Sequence, residues 1–537
     1  IMDEEHVVAL QSKNPEKIKS ILKKFNEKNA TLFDFSALNS SDQWISIWKS
    51  IFVHLQDPDL ATAHPVCLNT IRILSRDDYS LQKHNIADDL NCLLNLADLG
   101  PNKSIEVASP TSSNTETITE ALKCLCNLVF QSAACRQLCL ETESCDKILR
   151  RVAASSSELS YEIDLFDLKL LFLMTALEPV ARNRVQIDLN GQVYLTHLLD
   201  QKLQEKDNSA SHIDIICEIL KVMFNITSEA EDFPNANEIQ NRHLTSVIRS
   251  LILRFCDLAS DKEQLVISHA INLLTNVSST CLSELLIKFD RSAAEILQVL
   301  EFEDWNVWVL EMLMRYTKLV ISQYKEKSPT SGELIPPVLT VLVKCARSNR
   351  TMRHYIRGEI LPPLKDVSQR PEIGNELRNH LCRFLTLPDM IVRDLAAELL
   401  FVCCKENVGR MIKYTGYGNA AGLFANRGLL DCKTVANADY SSDSEDSDTE
   451  EYKQVQDNVN PVLGCYEPPK RSVFEGMSEE QKEYEAMQLV QLMDKLHRTG
   501  VVQPCRISED GAPEPVDHIL QMQEELPQQQ LDQKRKC

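Results

Sequence analysis

Glycine is scarce in this chain, at 14 of 537 residues, far below the roughly 7% of average usage. Aromatic residues are also few, at 6%, with four tryptophans. Sheets and tight turns draw on glycine, whereas helices joined by short polar loops do not, so the composition leans all-α. No C-x-x-C pair occurs among the 18 cysteines, and the close pairs Cys124/Cys126 and Cys403/Cys404 lack zinc-knuckle spacing. They read as reduced, mostly buried thiols, with no metal site. No apolar run approaches the roughly 20 residues that span a bilayer; the strongest, from Leu170 to Leu177, is far too short. G-x-S-x-G, H-E-x-x-H and Walker patterns are missing too, so neither catalytic residues nor a cofactor are expected. Positive charge is outweighed by negative, with 57 Lys and Arg against 78 Asp and Glu, a net charge of −21 and a pI near 5.1. A nucleic-acid or anionic-membrane binder carries the opposite balance.

What is present is a repeat. The pattern apolar, Lys or polar, x, Leu/Met, x, Asn reads as Leu122-Lys123-Cys124-Leu125-Cys126-Asn127, Leu220-Lys221-Val222-Met223-Phe224-Asn225 and Ile271-Asn272-Leu273-Leu274-Thr275-Asn276. Looser copies end at Arg76, Leu173 and Arg315. The spacing of roughly 40–50 residues is that of armadillo or HEAT units with loop insertions. Each copy has a helix whose apolar face is buried only by stacking on its neighbours. The expected fold is therefore an armadillo/HEAT-type helical solenoid.

In an armadillo unit the Asn of this pattern faces the concave groove, where its amide suits the backbone of a bound segment. Four residues earlier, one turn back on the same face, stand Lys123, Lys169, Lys221 and Asn272, with Arg72 before Arg76. The groove is expected to carry a ladder of Arg, Lys and Asn. Nuclear-import adaptors place Trp at that position, and Trp44, Trp48, Trp305 and Trp308 all lie elsewhere. A basic groove favours an acidic segment or a free C-terminal carboxylate.

Further along, Pro336-Pro337, Pro362-Pro363 and Pro371 punctuate the helices. Arg347, Arg350, Arg353 and Arg357 are expected to form a basic stripe. An acidic run from Ser441 to Glu451 follows, in which Ser442 and Ser447 each have Glu at +3, the pattern of acidophilic kinases. Phosphates there are expected to dock on the arginine stripe. Five glycines lie between Gly409 and Gly428, and they read as a cap and turn that end the solenoid. Ser478 and Gln481 make a capping box for a helix whose Met487, Val490 and Met493 form an apolar stripe. The expected layout is a solenoid over 1–430, an acidic linker over 431–475, an amphipathic helix over 476–500 and a disordered tail over 501–537.

Three segments carry a resemblance to a known family: Ile71-Arg72-Ile73-Leu74-Ser75-Arg76-Asp77, Lys123-Cys124-Leu125-Cys126-Asn127-Leu128 and Lys413-Tyr414-Thr415-Gly416-Tyr417-Gly418-Asn419-Ala420-Ala421-Gly422-Leu423. Together with Leu361-Pro362-Pro363-Leu364 and Gly476-Met477-Ser478-Glu479-Glu480-Gln481-Lys482, they resemble the synembryn family, also called resistance to inhibitors of cholinesterase 8. The resemblance runs from about Asp3 to about Pro504 and is closest to the family's B form. It implies a folding chaperone and guanine-nucleotide exchange factor for heterotrimeric G-protein α subunits, of the stimulatory and olfactory class. It implies that the client's C-terminal helix lies in the groove, against Arg72, Arg76, Lys123, Asn127 and Asn225. Lys169, Lys221 and Asn276 extend the same face. It also implies phosphorylation at Ser442 and Ser447, the A form having Thr where this chain has Ser447, and contact of the helix near Met487 with the client's nucleotide-binding domain. A monomer forming a 1:1 complex in the cytoplasm, reaching the cell cortex through its client, completes the expectation. The alternative from the residues alone is a generic armadillo scaffold for another acidic peptide.

Overall fold

The computed structural model describes residues 13–35, 38, 43–83, 87–101, 114–154, 161–205, 207–228, 238–289, 299–324, 331–429, 449–468, 476–501, 505–507 and 513–515. Short polar residues start many of its helices. Asn14, Ser209, Ser260, Asp389 and Asn407 each accept backbone N–H groups of the first turn with their side-chain oxygens, meeting donors that have no partner inside the helix. One residue in each of these segments thus decides where the chain turns helical.

Eight helices stack in sequence as an inner layer. They are Pro15–Asn29 (α1), His64–Leu74 (α2), Thr115–Gln131 (α3), Tyr161–Leu177 (α4), Ala210–Thr227 (α5), Asp261–Asn276 (α6), Ser331–Ser348 (α7) and Met390–Cys403 (α8). Each packs on the one before and the one after, and outer helices such as Gln43–Leu55, Gly191–Gln204 and Glu238–Arg254 cover their other side. The core is the apolar face between the layers, continuous from Ile18, Trp44 and Trp48 to Leu399 and Met411. Trp44 and Trp48 stack at 4.8 Å between ring centroids, and Trp48 donates to Asp89 at 2.8 Å. This is the solenoid the repeat implied.

Three details differ from the sequence reading. The copy ending at Arg315 lies on Trp308–Tyr324, which belongs to the outer layer; α7 follows α6 instead. Outer and inner helices both bury one apolar face, so their periodicity is the same. Pro336-Pro337 lies inside α7 rather than ahead of it. Part of the expected linker is folded: Glu450–Val455 (α11) and the strands Val459–Asn460 and Cys465–Tyr466 are formed. Thr449 donates to the Leu364 carbonyl, and Tyr452 is buried beneath Lys413, whose ammonium sits 4.5 Å from the ring centroid.

The glycine-rich segment forms Val408–Thr415 (α9), a turn at Gly416 with φ of +74°, and Tyr417–Asn426 (α10). A Cβ on Gly416 would lie 3.0 Å from the Leu463 backbone, so a larger residue clashes as well as straining the turn. Tyr417 and Gly418 N–H groups donate to the carbonyls of Pro461 and Val462. The segment forms the expected turn, and the compact unit continues beyond it.

Residues 1–465 form one compact unit and 466–537 a second. In the second unit, Ser478 and Gln481 complete a reciprocal capping box at the start of Glu479–Arg498 (α12). The tail expected to be disordered contains an antiparallel strand pair, Cys505–Ile507 with Pro513–Pro515. Ser442, Ser447 and the rest of 430–448 lie outside the described residues.

Candidate functional site on the inner face

The asparagines of the repeat do not wait for a partner's backbone. Asn127 on α3 donates to the Arg72 carbonyl at 3.1 Å and to Ser75 Oγ at 3.3 Å, both at the end of α2. Asn225 does the same to the Phe172 carbonyl and Thr175 Oγ1, each at 3.1 Å. Asn276 repeats it on the Phe224 carbonyl at 2.9 Å and Thr227 Oγ1 at 3.1 Å. On α7 the role passes to Lys344, which donates to the carbonyls of Thr275 and Val277 at 2.8 and 2.6 Å. The amides expected to meet a bound segment give their N–H groups to tying each inner helix to the previous one. Each neutral tie contributes about 1 kcal/mol net.

These bonds fix the true register. Arg72, Phe172, Phe224 and Thr275 are equivalent acceptors, so the residue matching Asn127, Asn225 and Asn276 in α2 is the buried Ile73, not Arg76. The row four residues earlier then reads Asn69, Lys123, Lys169, Lys221 and Asn272, and the row seven earlier Val66, Glu120, Phe166, Glu218 and His269. The copy ending at Arg76 is therefore three residues out of phase, and Arg72 and Arg76 stand beside the lysine row rather than in it.

The rows interact in an orderly way. Lys123 pairs with Glu120 at 2.8 Å and Lys221 with Glu218 at 2.7 Å, both one turn apart on their own helices. Lys123 and Lys169 flank the Phe166 ring at 5.0 and 4.8 Å, and Lys221 lies 5.0 Å from the Phe172 ring. The basic ladder is thus interleaved with two glutamates and two phenylalanines that the repeat pattern did not single out. His269 is half-buried beside Lys221, and desolvation first, then that ammonium, push its pKa down to about 4.

At the α2 end the balance changes. Arg72 donates to Asn69 at 2.7 Å and reaches Glu120 only at 3.7 Å. Arg76 donates to the carbonyls of Ala30 and Leu32 at 2.7 and 3.4 Å and lies 5.2 Å from the Phe33 centroid. Burial, then the Arg72 charge, hold its pKa below the ordinary arginine value. Two neighbouring guanidiniums, of which Arg72 is ion-paired with Glu120, make a positive site that favours an anion. A cavity of about 350 Å³ opens here, lined by both arginines, Phe33, Asn127, Phe130 and Leu173 among others. Leu173 occupies the position of Asn225 and Asn276, so α4 has no such tie to α3. The cavity lies against α2 and α3, with Leu173 of α4 also lining it.

The arginines of the second half are placed differently. Arg347, on α7, pairs with Glu398 of α8 and with Glu406 at 3.6 Å. Asn349 caps a separate helix, Arg350–Ile360, on which Arg350 pairs with Glu303 at 3.5 Å and Arg353 donates to the Ala346 carbonyl at 2.9 Å. Arg353 and Arg357 both bring positive charge to the buried Cys403. The expected single stripe is divided among several partners.

On α12 no residue is buried. At about 100° per residue, Met487, Leu489, Val490, Leu492, Met493 and Leu496 fall on one side, interrupted by Asp494 and His497, with Gln488, Gln491, Lys495 and Arg498 on the other. Leu489 and Leu492 thus widen the expected stripe of Met487, Val490 and Met493. Among the described residues no group of His, Cys, Asp and Glu could hold a metal ion, and no helix is long and apolar enough to cross a membrane.

The family model of guanine nucleotide exchange factor synembryn, Ric8, matches residues 67–512. The chain belongs to the synembryn family. Chaperone Ric-8 of Drosophila melanogaster is 53% identical over 574 residues, covering 100% of both chains. Chaperone Ric-8A of Xenopus tropicalis is 35% identical, covering 95% of each, and that of Mus musculus is 36% identical, covering 96% of this chain and 95% of its own. Among solved structures, a designed armadillo repeat protein aligns with 58% of this chain and 99% of its own, at 14% identity and a TM-score of 0.35. The match to synembryns takes in α3 to α12, and with them the tied inner rows and the exposed C-terminal helix.

Proposed function

We propose that this synembryn is a chaperone and guanine-nucleotide exchange factor for G-protein α subunits of the stimulatory and olfactory class. It holds the client's C-terminal helix against the inner face and performs no covalent chemistry of its own. The observation that carries this reading is the Arg72–Arg76 pair at the mouth of an aromatic-walled cavity. A free carboxylate satisfies the guanidiniums, an apolar side chain fits the cavity, and the lysine row follows the rest of the segment. Drawing the client's last helix away from its nucleotide pocket stabilises the empty state by differential binding. GTP, which favours the closed client, then expels the exchange factor, since the two are mutually exclusive ligands. A nearly folded client resembles the empty one, and the same contacts serve chaperoning.

The broad apolar face of α12 is read as the contact with the client's nucleotide-binding domain. Phosphates on Ser442 and Ser447, placed by an acidophilic kinase, are read as ligands of Arg350, Arg353 and Arg357, with Arg347 nearby. At Arg350 a phosphate dianion would displace Glu303.

Competition tests the reading. A peptide of the client's last helix should displace the full client, and truncation after Pro469 should leave peptide binding intact while slowing nucleotide release. A generic scaffold would give no competition and no effect on nucleotide release.

A further inference from the structure

Phe33 belongs to no helix, yet it stands at the cavity that the Arg72–Arg76 pair opens on. It follows the loop after α1, and its ring is 71% exposed. An aromatic side chain left this bare in the free protein forgoes hydrophobic stabilisation that burial would supply. The loop is nonetheless held in place. Arg76 grips the carbonyls of Ala30 and Leu32, and its guanidinium packs against the Phe33 ring, linking residues more than forty positions apart. The grip works both ways, because the loop carbonyls and the ring fix the orientation of Arg76.

The cavity is asymmetric. Toward α4 and α5 the inner face continues as Lys169, Lys221 and the phenylalanines beside them. Toward α1 the lining is Phe33 and Arg76. A segment lying along the rows toward α1 therefore meets the Phe33 ring and the loop carbonyls that Arg76 holds.

We propose that Phe33 and the 30–33 loop form an end stop that selects a chain terminus over a continuing chain, with Phe33 acting as a positioning residue for Arg76. This rests on the reading that a client's C-terminal segment occupies the inner face. A terminal carboxylate ends against the guanidiniums and needs no exit. A chain that continues past that point must displace the ring or leave the face, and an amide end loses the charge-assisted bonds.

The test uses the full-length protein and a synthetic peptide of the client's last helix in three forms: free acid, C-terminal amide, and with a Gly-Gly tail. Wild type should bind the acid at least about tenfold more tightly than the other two, as charge-assisted bonds of this kind imply. Phe33→Ala should weaken the acid by about threefold, the scale of an exposed cation–π contact. It should strengthen the tailed peptide, so that acid and tailed forms converge. Phe33→Tyr, which keeps the ring, should restore discrimination. Phe33 is exposed, so these variants should keep the wild-type melt. If Phe33→Ala leaves the tailed peptide as weak as before while wild type still prefers the acid, the end stop is wrong and the inner-face reading stands. If wild type binds all three forms equally or none, the inner-face reading itself fails.

Discussion

The two halves of the solenoid both carry rows of basic residues, and they use them differently. In the first half Lys123 and Lys221 pair with glutamates one turn back on their own helices, at 2.8 and 2.7 Å. These pairs lie within one helix, although Glu120 also meets Arg72 of α2 at 3.7 Å; the amides of Asn127, Asn225 and Asn276 join one inner helix to another. In the second half Arg347 joins α7 to α8 through Glu398, and Arg427 closes on the same carboxylate from beyond α10. Arg350 joins its helix to Glu303. In these rows the Lys123 and Lys221 ammoniums are therefore held within their own helices, whereas Arg347 and Arg350 reach carboxylates on other elements, as Arg136 and Arg151 do away from the rows in the first half. A basic residue has a functional or a structural meaning according to where its counter-charge stands.

Acid should act on the scaffold through His269 of α6. Because the folded pKa of His269 is near 4 against an ordinary 6.5, protonation favours the unfolded chain. Its contribution is complete above about pH 6.5 and is lost as pH falls toward 4, a difference of up to about 3 kcal/mol at about 1.4 kcal/mol per pH unit. Urea melts of wild type and His269→Gln across that window should converge on acidification; parallel curves would remove the histidine from the account. Next in size, Glu398→Ala strips one carboxylate from two arginines and should cost about 1.5–3 kcal/mol while leaving peptide affinity unchanged. Reduced peptide binding with an unchanged melt would invert the comparison. Smallest, Asn225→Leu makes the α4–α5 step like the α3–α4 step, where Leu173 stands in place of the asparagine. It should lower stability by about 1 kcal/mol, read as a shifted urea midpoint with the slope unchanged.

Much of this was legible in the sequence. The period of the Leu-x-x-Leu/Met-x-Asn pattern implied the stacked helices, and Ser478 with Gln481 marked the start of α12 to the residue. The phase of the first repeat was not legible from the apolar positions, since Ile73 and Arg76 both fit an i, i+3 helix. The hydroxyls Ser75, Thr175 and Thr227 carry the missing signal: two residues after Asn225 stands Thr227, and two before Ser75 stands Ile73. The ties made by the asparagines were not legible, because an amide suits a neighbouring carbonyl as well as a ligand's, and sequence does not show which lies within reach. The arginine stripe failed for a related reason. Glu303, Glu398 and Glu406 are distant in sequence from at least one arginine each of them meets, and only the fold brings them together. Phe33 gave no periodic sign, because it lies in a loop.

The central claim is that the α2 end of the inner face binds a client's terminal carboxylate, and Arg72→Ala/Arg76→Ala tests it most directly. The tie from Asn127 ends on the backbone carbonyl of Arg72, which alanine keeps, so the helical circular-dichroism melt should change little. Loss of two charge-assisted contacts, each worth about 1.5–3 kcal/mol, should weaken binding of the G-protein α subunit at least tenfold at physiological salt, as read by titration calorimetry. Undiminished binding by a well-folded double variant would contradict the account.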